Sequence, residues 1–243
     1  MKALYIAWQD SKIRSWHTVG RLSREQGGYR FNYTRGALES PRFQYLGRMQ
    51  DKSKVYRSET LFPLFANRLL DESRPEYPEY LGWLGVDQAA DKMEVLARSG
   101  GQRGTDRLCV YPEVDPNERG EMILYFFSHG LRHLNGPEQD AVRQLKPGVR
   151  LQMKRDDNNA YDCYALQLTT GEMVRVGFCP RYLNQDLRSI QDQTSIQLTV
   201  EKSNLDAPLY FQLLCKAVFT LPREFKIFKT EAHQSLAQEA LVA

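Results

Sequence analysis

A turn-rich stretch near the middle of the chain constrains its fold more than any other feature. From Pro112 to Gly120 the sequence is Pro-Glu-Val-Asp-Pro-Asn-Glu-Arg-Gly, and this density of Pro, Asp, Asn and Gly favours turns over helices and strands. The residues on each side are numerous enough to bury a hydrophobic core of their own. The sequence therefore predicts two domains, at residues 1–112 and 113–225, followed by a tail at 226–243 with the composition of a frayed helix.

The composition is that of a folded chain without a membrane-spanning segment. Hydrophobic residues make up 42% of the chain and aromatic residues 11%, which is too many for a disordered protein. The longest purely apolar run, Met122–Phe127, is far shorter than the roughly 20 residues that span a bilayer. Asp10 interrupts the opening segment before the core of a signal peptide could form. We therefore expect a cytoplasmic protein with no membrane partner.

Four cysteines are spread along the chain without any CxxC pair: Cys109, Cys163, Cys179 and Cys215. This spacing excludes a zinc ribbon and a thioredoxin-like motif. We expect reduced, buried thiols, as is usual in cytoplasmic proteins.

Positive charge is concentrated at the front of the chain. The net charge is +3, from 33 basic and 30 acidic residues. Residues 1–57 contain 12 Lys and Arg against 4 Asp and Glu, whereas residues 113–243 contain 15 against 17. The basic front end predicts an anionic partner, either nucleic acid or an acidic protein face. A solvated sheet surface with scattered positive charges is the equally acceptable alternative.

The first half reads as a mixture of strands and helices. Gly28–Tyr33 alternates aromatic and polar residues, as a half-buried strand requires, and Gly27-Gly28 marks the turn before it. Further strands are predicted at Ala3–Trp8, Arg14–Arg21 and Leu108–Tyr111, and helices at Glu59–Leu70 (with Ser58 as N-cap), Tyr80–Leu84 and Ala89–Arg98. The first domain is therefore expected to be α+β.

Strands dominate the second half. They are predicted at Met122–Phe127, Arg150–Arg155, Ala165–Thr169, Val174–Phe178, Ile196–Glu201 and Tyr210–Phe219, with one helix at Tyr182–Gln191. The second domain is therefore expected to be essentially all-β, with one or two helices.

No enzyme motif is present. Gly100–Gly104 is glycine-rich but lacks the Lys-Ser/Thr ending of a phosphate-binding loop, and neither a GxSxG elbow nor an HRD and DFG pair occurs. His129 and His133 have no evident third metal ligand, and Asp156–Asp162 lacks the glycine and final glutamate of a calcium loop. We expect no catalytic residues, no metal and no cofactor, and a metal-dependent nuclease is disfavoured.

Three short motifs between residues 130 and 187 carry a resemblance. They are Gly130-Leu131-Arg132-His133, Asn159-Ala160-Tyr161-Asp162 and Val176-Gly177-Phe178-Cys179-Pro180-Arg181. Together they resemble the HIRAN domain, an OB-like β-barrel that binds single-stranded DNA and caps a 3′-hydroxyl end. The resemblance implies DNA contacts from Arg132, His133, Tyr161 and Asp162. Lys154 and Arg181, which lie in the same stretch of sequence, are further candidates for DNA binding. The family has an aromatic residue where His133 stands here, so stacking at this position is expected to be weaker.

The chemistry of these residue types fits a DNA end. A Tyr161 ring stacks on a base with roughly 1–3 kcal/mol, Arg132 neutralises a phosphate, and the Asp162 carboxylate accepts a hydrogen bond from a free 3′-hydroxyl. The alternative is structural: Tyr161 packs on the barrel and Asp162 caps a turn. From His129 to Arg188 there are 9 basic and 7 acidic residues, so the attractive field on DNA is weak.

The first half carries a second resemblance. Gly28–Tyr33, Leu61–Leu70 and Met93–Pro112 resemble the N-terminal subdomain of HipA-type Ser/Thr kinases. The kinase body itself is missing, and free-standing copies of this subdomain occur in bacterial toxin–antitoxin systems of the split HipA type. The resemblance implies that the domain binds a separate HipA-like kinase. An exposed apolar patch would mark that contact. The candidates are Phe62, Phe65, Leu69 and Trp83, each of which could instead belong to the domain's own core.

The sequence thus predicts an α+β N-terminal domain and an all-β, OB-like HIRAN barrel with one or two helices. The predicted function is a non-enzymatic adaptor whose barrel binds single-stranded or 3′-ended DNA and whose N-terminal domain binds a HipA-like kinase. The alternative is an antitoxin-like protein-binding module that neutralises a HipA-type kinase without binding DNA.

Overall fold

Two antiparallel sheets organise the chain, one in each of two structural units. The computed structural model describes residues 3–222, 225, 227–228 and 230–237. The first unit consists of residues 1–78, 88–113 and 228–243, and the second of residues 79–87 and 114–227. Each unit therefore contains a segment that is remote in sequence from the rest of it. Among the described residues, no helix combines the length and the apolar character that crossing a bilayer requires.

The first unit is built on a five-stranded sheet. Its strands are β1 (Ala3–Gln9), β2 (Trp16–Glu25), β3 (Gly28–Tyr33), β4 (Val55–Ser58) and β5 (Leu108–Pro112), in the order β4-β3-β2-β1-β5. The helices of this part of the chain are α1 (Pro63–Ala66), α2 (Tyr77–Leu84) and α3 (Lys92–Ser99). All of α2 from Glu79 onward belongs to the second unit.

Alternation along β3 places its aromatic side chains in the core of the first unit. Phe31 and Tyr33 are fully buried, and they pack with Leu22 of β2, Phe65 of α1 and Leu96 of α3. The predicted half-buried strand at Gly28–Tyr33 is therefore confirmed, with Arg30 on its opposite face. Helix α3 begins at the N-cap Asp91, whose side chain accepts from the backbone N–H of Glu94 at 2.9 Å.

The helix predicted over Glu59–Leu70 is much shorter in the structure. It begins at Pro63, with Phe62 as the N-cap, so the expectation of a cap at Ser58 is wrong. Ser58 is instead the last residue of β4, where it pairs with Tyr29. Proline favours the first position of a helix because it has no N–H to donate, and this sets the helix start at residue 63. Strand β4 was not among the predicted strands, because its four residues carry little periodic signal.

The second unit is a six-stranded sheet that curls on itself. The strands are β6 (Glu121–Phe127), β7 (Arg150–Arg155), β8 (Leu166–Thr169), β9 (Arg175–Phe178), β10 (Gln197–Ser203) and β11 (Leu213–Thr220), in the order β6-β11-β10-β7-β8-β9. His129, just beyond β6, and Phe178, at the end of β9, exchange two backbone hydrogen bonds of 2.9 Å. The first and last strands of the sheet therefore meet, and the predicted fold class is confirmed.

Two helices accompany the curled sheet: α4 (Gly136–Gln144) and α5 (Asn184–Gln193). Helix α5 matches the predicted helix at Tyr182–Gln191, whereas α4 was not predicted. Yet α4 begins with a complete capping box, in which Asn135 accepts from the backbone N–H of Glu138 and the Glu138 side chain accepts from that of Asn135. In the tail, the structure has a single 3-10 turn at Glu231–His233, and residues 238–243 lie outside the described part.

Candidate nucleic-acid interface

The connection between β7 and β8 carries Tyr161 and Asp162 on a tightly hydrogen-bonded turn. The side-chain oxygen of Asn159 accepts from the backbone N–H groups of Tyr161 at 3.0 Å and of Asp162 at 3.2 Å. Asp162 in turn accepts from the backbone N–H of Tyr164 at 3.0 Å. These are Asx-type turns, which Asn and Asp favour because a short polar side chain replaces a backbone acceptor. The turn thus holds the backbone of Tyr161 in place.

The Tyr161 ring projects from this turn into solvent. The residue is 86% exposed, the highest value among the large hydrophobic residues described. It therefore does not pack on the barrel, which was the structural alternative for this residue. An aromatic face held on a fixed backbone and open to solvent suits stacking on a nucleobase.

Asp162 does the opposite and turns inward. Its side chain is only 13% exposed, and Oδ2 accepts from the Asn184 amide at 2.7 Å and lies 3.4 Å from Arg181 Nε. With the bond from Tyr164, three of about four acceptor positions of the carboxylate are in use. The turn-capping role considered for Asp162 is therefore present in the structure, and one acceptor position remains for another donor.

Helix α5 supplies the residues that anchor the turn. Asn184 is 1% exposed, and its side-chain oxygen is buried without a hydrogen-bond partner in the described part of the chain. Arg188 donates to the backbone oxygens of Tyr164 at 2.9 Å and Ala165 at 2.8 Å. The sequence analysis did not single out Asn184 or Arg188, because they follow the turn by more than twenty residues and belong to no motif.

Arg181 links the turn to the end of β9. Its guanidinium faces the Asp162 carboxylate and also donates to the backbone oxygen of Tyr161. The structure therefore brings together three of the six predicted DNA-binding residues: Tyr161, Asp162 and Arg181. The guanidinium adds a positive charge next to the backbone of Tyr161.

Arg132 and His133 form a separate pair on the short 3-10 helix that follows His129. Both are exposed, and Arg132 Nε donates to His133 Nε2 at 3.0 Å. They follow Gly130, whose position against the Phe178 ring leaves little room for a side chain. The backbone bridge from His129 to Phe178 connects this pair to the strand that leads to Arg181.

Lys154, the sixth predicted residue, is exposed on β7 and paired with Gln167 of β8. Gln167 and Asn159 both donate to Asp156 Oδ2, at 2.9 and 3.0 Å. These hydrogen bonds lower the pKa of Asp156, so its carboxylate stays ionised and holds the base of the turn.

The four predicted partner-binding residues are divided between the two units and differ in burial. Phe65 is 1% exposed and lies in the core of the first unit. Trp83 belongs to the second unit, where its ring stacks 6.3 Å from that of Phe211. Phe62 and Leu69 are half-buried at the edge of the first unit's core.

Leu69 also lines a surface cavity of about 520 Å³ in the first unit. Its walls include Glu72, Tyr77, Lys92 and Arg103, so the opening carries charges of both signs. Among the described residues, no group of three or more His, Cys, Asp and Glu side chains is placed to hold a metal ion.

Comparison with known families identifies the two halves of the chain. Residues 123–218 match the family model of the HIRAN domain, and residues 13–103 match that of the HipA N-terminal domain. The resemblance predicted from the sequence is thus confirmed for both halves. One part of the chain is thus similar to HIRAN domains and another part to HipA N-terminal domains. The HipA match does not include the catalytic part of the kinase.

Two solved structures are similar to part of the chain. The HIRAN domain of human HLTF is 21% identical over 44% of this chain and 85% of its own, with a TM-score of 0.34. A protein from Lactobacillus plantarum is 19% identical over 41% of this chain and 98% of its own, also with a TM-score of 0.34. No curated protein matches the chain.

Proposed function

We propose that the HIRAN domain binds single-stranded or 3′-ended DNA and that the chain is a non-enzymatic regulator of a HipA-like kinase. The observation that carries the DNA part is Tyr161, an almost fully exposed ring on a turn that is hydrogen-bonded at each of its corners. The exposed Tyr161 ring buries little apolar surface, so it adds little hydrophobic stabilisation to the fold.

In this proposal the Tyr161 ring stacks on the terminal base. Arg181, which contacts the Tyr161 backbone, and Arg132, on the 3-10 helix that follows His129, neutralise phosphates. Asp162 positions the turn through Tyr164 and Asn184, and its remaining acceptor position receives the 3′-hydroxyl. Only a strand end offers such a donor beside a base, which gives the site its preference for ends.

The alternative, a protein-binding module that neutralises a HipA-type kinase without DNA, is favoured by one observation. Three of the roughly four acceptor positions of the Asp162 carboxylate are already used by groups of the protein itself. The small surplus of positive charge around the site agrees with this alternative.

Binding of fluorescently labelled single strands separates the two functions. We expect wild-type protein to bind a strand with a free 3′-hydroxyl more tightly than the same strand with a 3′-phosphate. Tyr161→Ala should weaken binding by roughly 5- to 150-fold, which corresponds to the 1–3 kcal/mol of one stacking interaction. Tyr161→Phe, the matched control, keeps the ring and should bind like the wild type.

Equal binding by Tyr161→Ala and wild type would overturn the stacking role, and equal affinity for both strand ends would overturn end recognition. No binding of either strand by the wild type would leave the protein-binding alternative. Asp162 is not the variant of choice, since its replacement also removes the hydrogen bonds that hold the turn.

The kinase part of the proposal is carried by the HipA N-terminal domain match and by the half-buried Phe62 and Leu69. We expect the purified chain to bind and inhibit the HipA-type kinase encoded nearest to its gene. Leu69→Glu should weaken this binding at least 10-fold, whereas Leu38→Glu, at an exposed position of the same unit, should not. If no such kinase is encoded nearby, or if Leu69→Glu binds like the wild type, this part of the proposal is wrong.

A further inference from the structure

We propose that the DNA strand continues from the Tyr161 turn along the outer face of β7, where Lys154 and Arg150 each contact a phosphate. The site would then accept several nucleotides rather than a strand end alone. This inference rests on the proposed DNA-binding function, and it adds a path and a length to it.

Strand β7 has one face open to solvent along its length. Arg150, Gln152 and Lys154 are exposed, while Leu151 is buried and Met153 half-buried between them. Side chains alternate along a strand, so these three exposed residues, two positions apart in sequence, lie on the same face. Each is about 6.8 Å from the next along the strand. Two cations with a neutral hydrogen-bonding amide between them form a row suited to an extended polyanion.

This row leads directly into the turn that carries Tyr161. Lys154 pairs with Gln167 of β8, so both side chains stand on the same face of the sheet. Gln167 donates to Asp156, and Asp156 accepts from Asn159, the residue whose side chain holds the Tyr161 backbone. A DNA strand whose terminal base stacks on Tyr161 would therefore reach Lys154 first and Arg150 further along β7.

The charges around the row leave its two cations available to a ligand. Three acidic residues of this unit are each held by another arginine: Asp157 by Arg188 at 2.6 Å, Asp192 by Arg155 at 2.6 Å and Glu138 by Arg175 at 2.9 Å. In the described part of the chain, neither Arg150 nor Lys154 forms an ion pair. A phosphate contact at these positions would therefore not have to break an existing salt bridge.

The test is the salt dependence of binding to 5′-fluorescein-labelled oligothymidylates of 3, 6 and 12 nucleotides, all with a free 3′-hydroxyl. Each phosphate contact on a single strand contributes about 0.7 to the slope of log K against log salt concentration. We expect Lys154→Gln and Arg150→Gln each to lower the slope for the 12-mer by about 0.7. Arg119→Gln, which removes an exposed charge from another part of the same unit, is the matched control and should leave the slope unchanged.

Length provides the second readout. The affinity of the wild-type protein should rise from the 3-mer to the 6-mer and then level off. In the double variant with Lys154→Gln and Arg150→Gln, the affinity should not rise with length. Unchanged slopes in both single variants, with Tyr161→Ala still impaired, would overturn the path along β7 and leave the end-binding proposal intact. If the wild-type protein binds none of the oligothymidylates, the proposed DNA-binding function itself is wrong.

Discussion

Gly177 shows how closely the curled sheet is packed at the level of single residues. It has a φ of 122°, which residues with a side chain rarely adopt. A methyl group there would overlap the Ser128 hydroxyl and lie 2.8 Å from the backbone oxygen of His129. The close approach lets the chain beyond β6 reach β9 and form the bridge from His129 to Phe178. The glycine of the Val-Gly-Phe motif therefore serves the closure of the sheet.

The imidazole of His129 lies at the same closure point and makes stability depend on pH. The ring is enclosed by Tyr210 and Tyr182, at centroid distances of 5.4 and 6.3 Å, and burial lowers its pKa to about 4. An unfolded histidine has a pKa near 6.5. Between these values the unfolded chain binds more protons than the folded one, so stability is lost as the pH falls from about 6.5 towards 4.

We expect the His129→Phe variant to lose less stability than the wild type between pH 7 and pH 4. The difference in the free energy of unfolding should be on the order of 3 kcal/mol. Phe is chosen because it preserves the contact with the two tyrosines. Thermal or denaturant unfolding between pH 7 and pH 4 measures the effect. His233, whose pKa burial also lowers to about 4, remains in the variant, so some dependence should persist. Identical pH profiles for variant and wild type would show that His129 is not the responsible group.

At the scale of elements, helix α3 has the boundaries that its local capping residues indicate. Helix α3 begins at its capping aspartate and ends at Gly100, which has a φ of 69°. The helix predicted from Glu59 was too long because the prediction relied on the spacing of apolar residues and did not use Pro63 as the helix start. Helix α4 was missed for the converse reason: its polar sequence has little apolar periodicity, although its capping box is complete.

The cap of α4 can be tested by Asn135→Ala. The substitution removes the side-chain acceptor for the Glu138 N–H and should cost about 1 kcal/mol of stability. Chemical denaturation of the two proteins gives the difference. Asn158→Ala makes the same chemical change at an exposed position, and it should be nearly neutral. Equal stability of all three proteins would contradict the capping role.

At the scale of the molecule, each unit is completed by a segment from a distant part of the chain. The described residues beyond 227, namely 228 and 230–237, belong to the first unit, where Phe228 is 1% exposed and its ring lies against those of Tyr5 and Tyr111. The backbone N–H of Leu236 donates to the oxygen of Tyr33 at 2.9 Å, which ties this segment to the end of β3. The residues after the HIRAN domain are thus part of the fold of the first unit.

Phe228→Ala should therefore destabilise the first unit by about 3–5 kcal/mol, the usual cost of emptying a buried aromatic position. Hydrogen exchange followed by mass spectrometry localises the effect. We expect faster exchange in peptides covering Ala3–Gln9 and Leu108–Pro112, while Glu121–Phe127 and Leu213–Thr220 of the second unit serve as the internal control. Unchanged exchange in the first pair of peptides would show that the segment is not needed by that unit.

The sequence by itself determined every described strand except β4, most helix positions, and the two family resemblances, because periodicity, turn residues and short motifs are local properties of the chain. It also singled out Tyr161, Asp162 and Arg181, which the structure brings together. Only the tertiary structure decided that Tyr161 points outward while Asp162 turns inward to Asn184, that Phe65 lies in the core, and that Trp83 and Phe228 each join the unit remote from them in sequence. Orientation and burial depend on residues far away along the chain, and no local pattern encodes which of them will come to lie next to a given side chain.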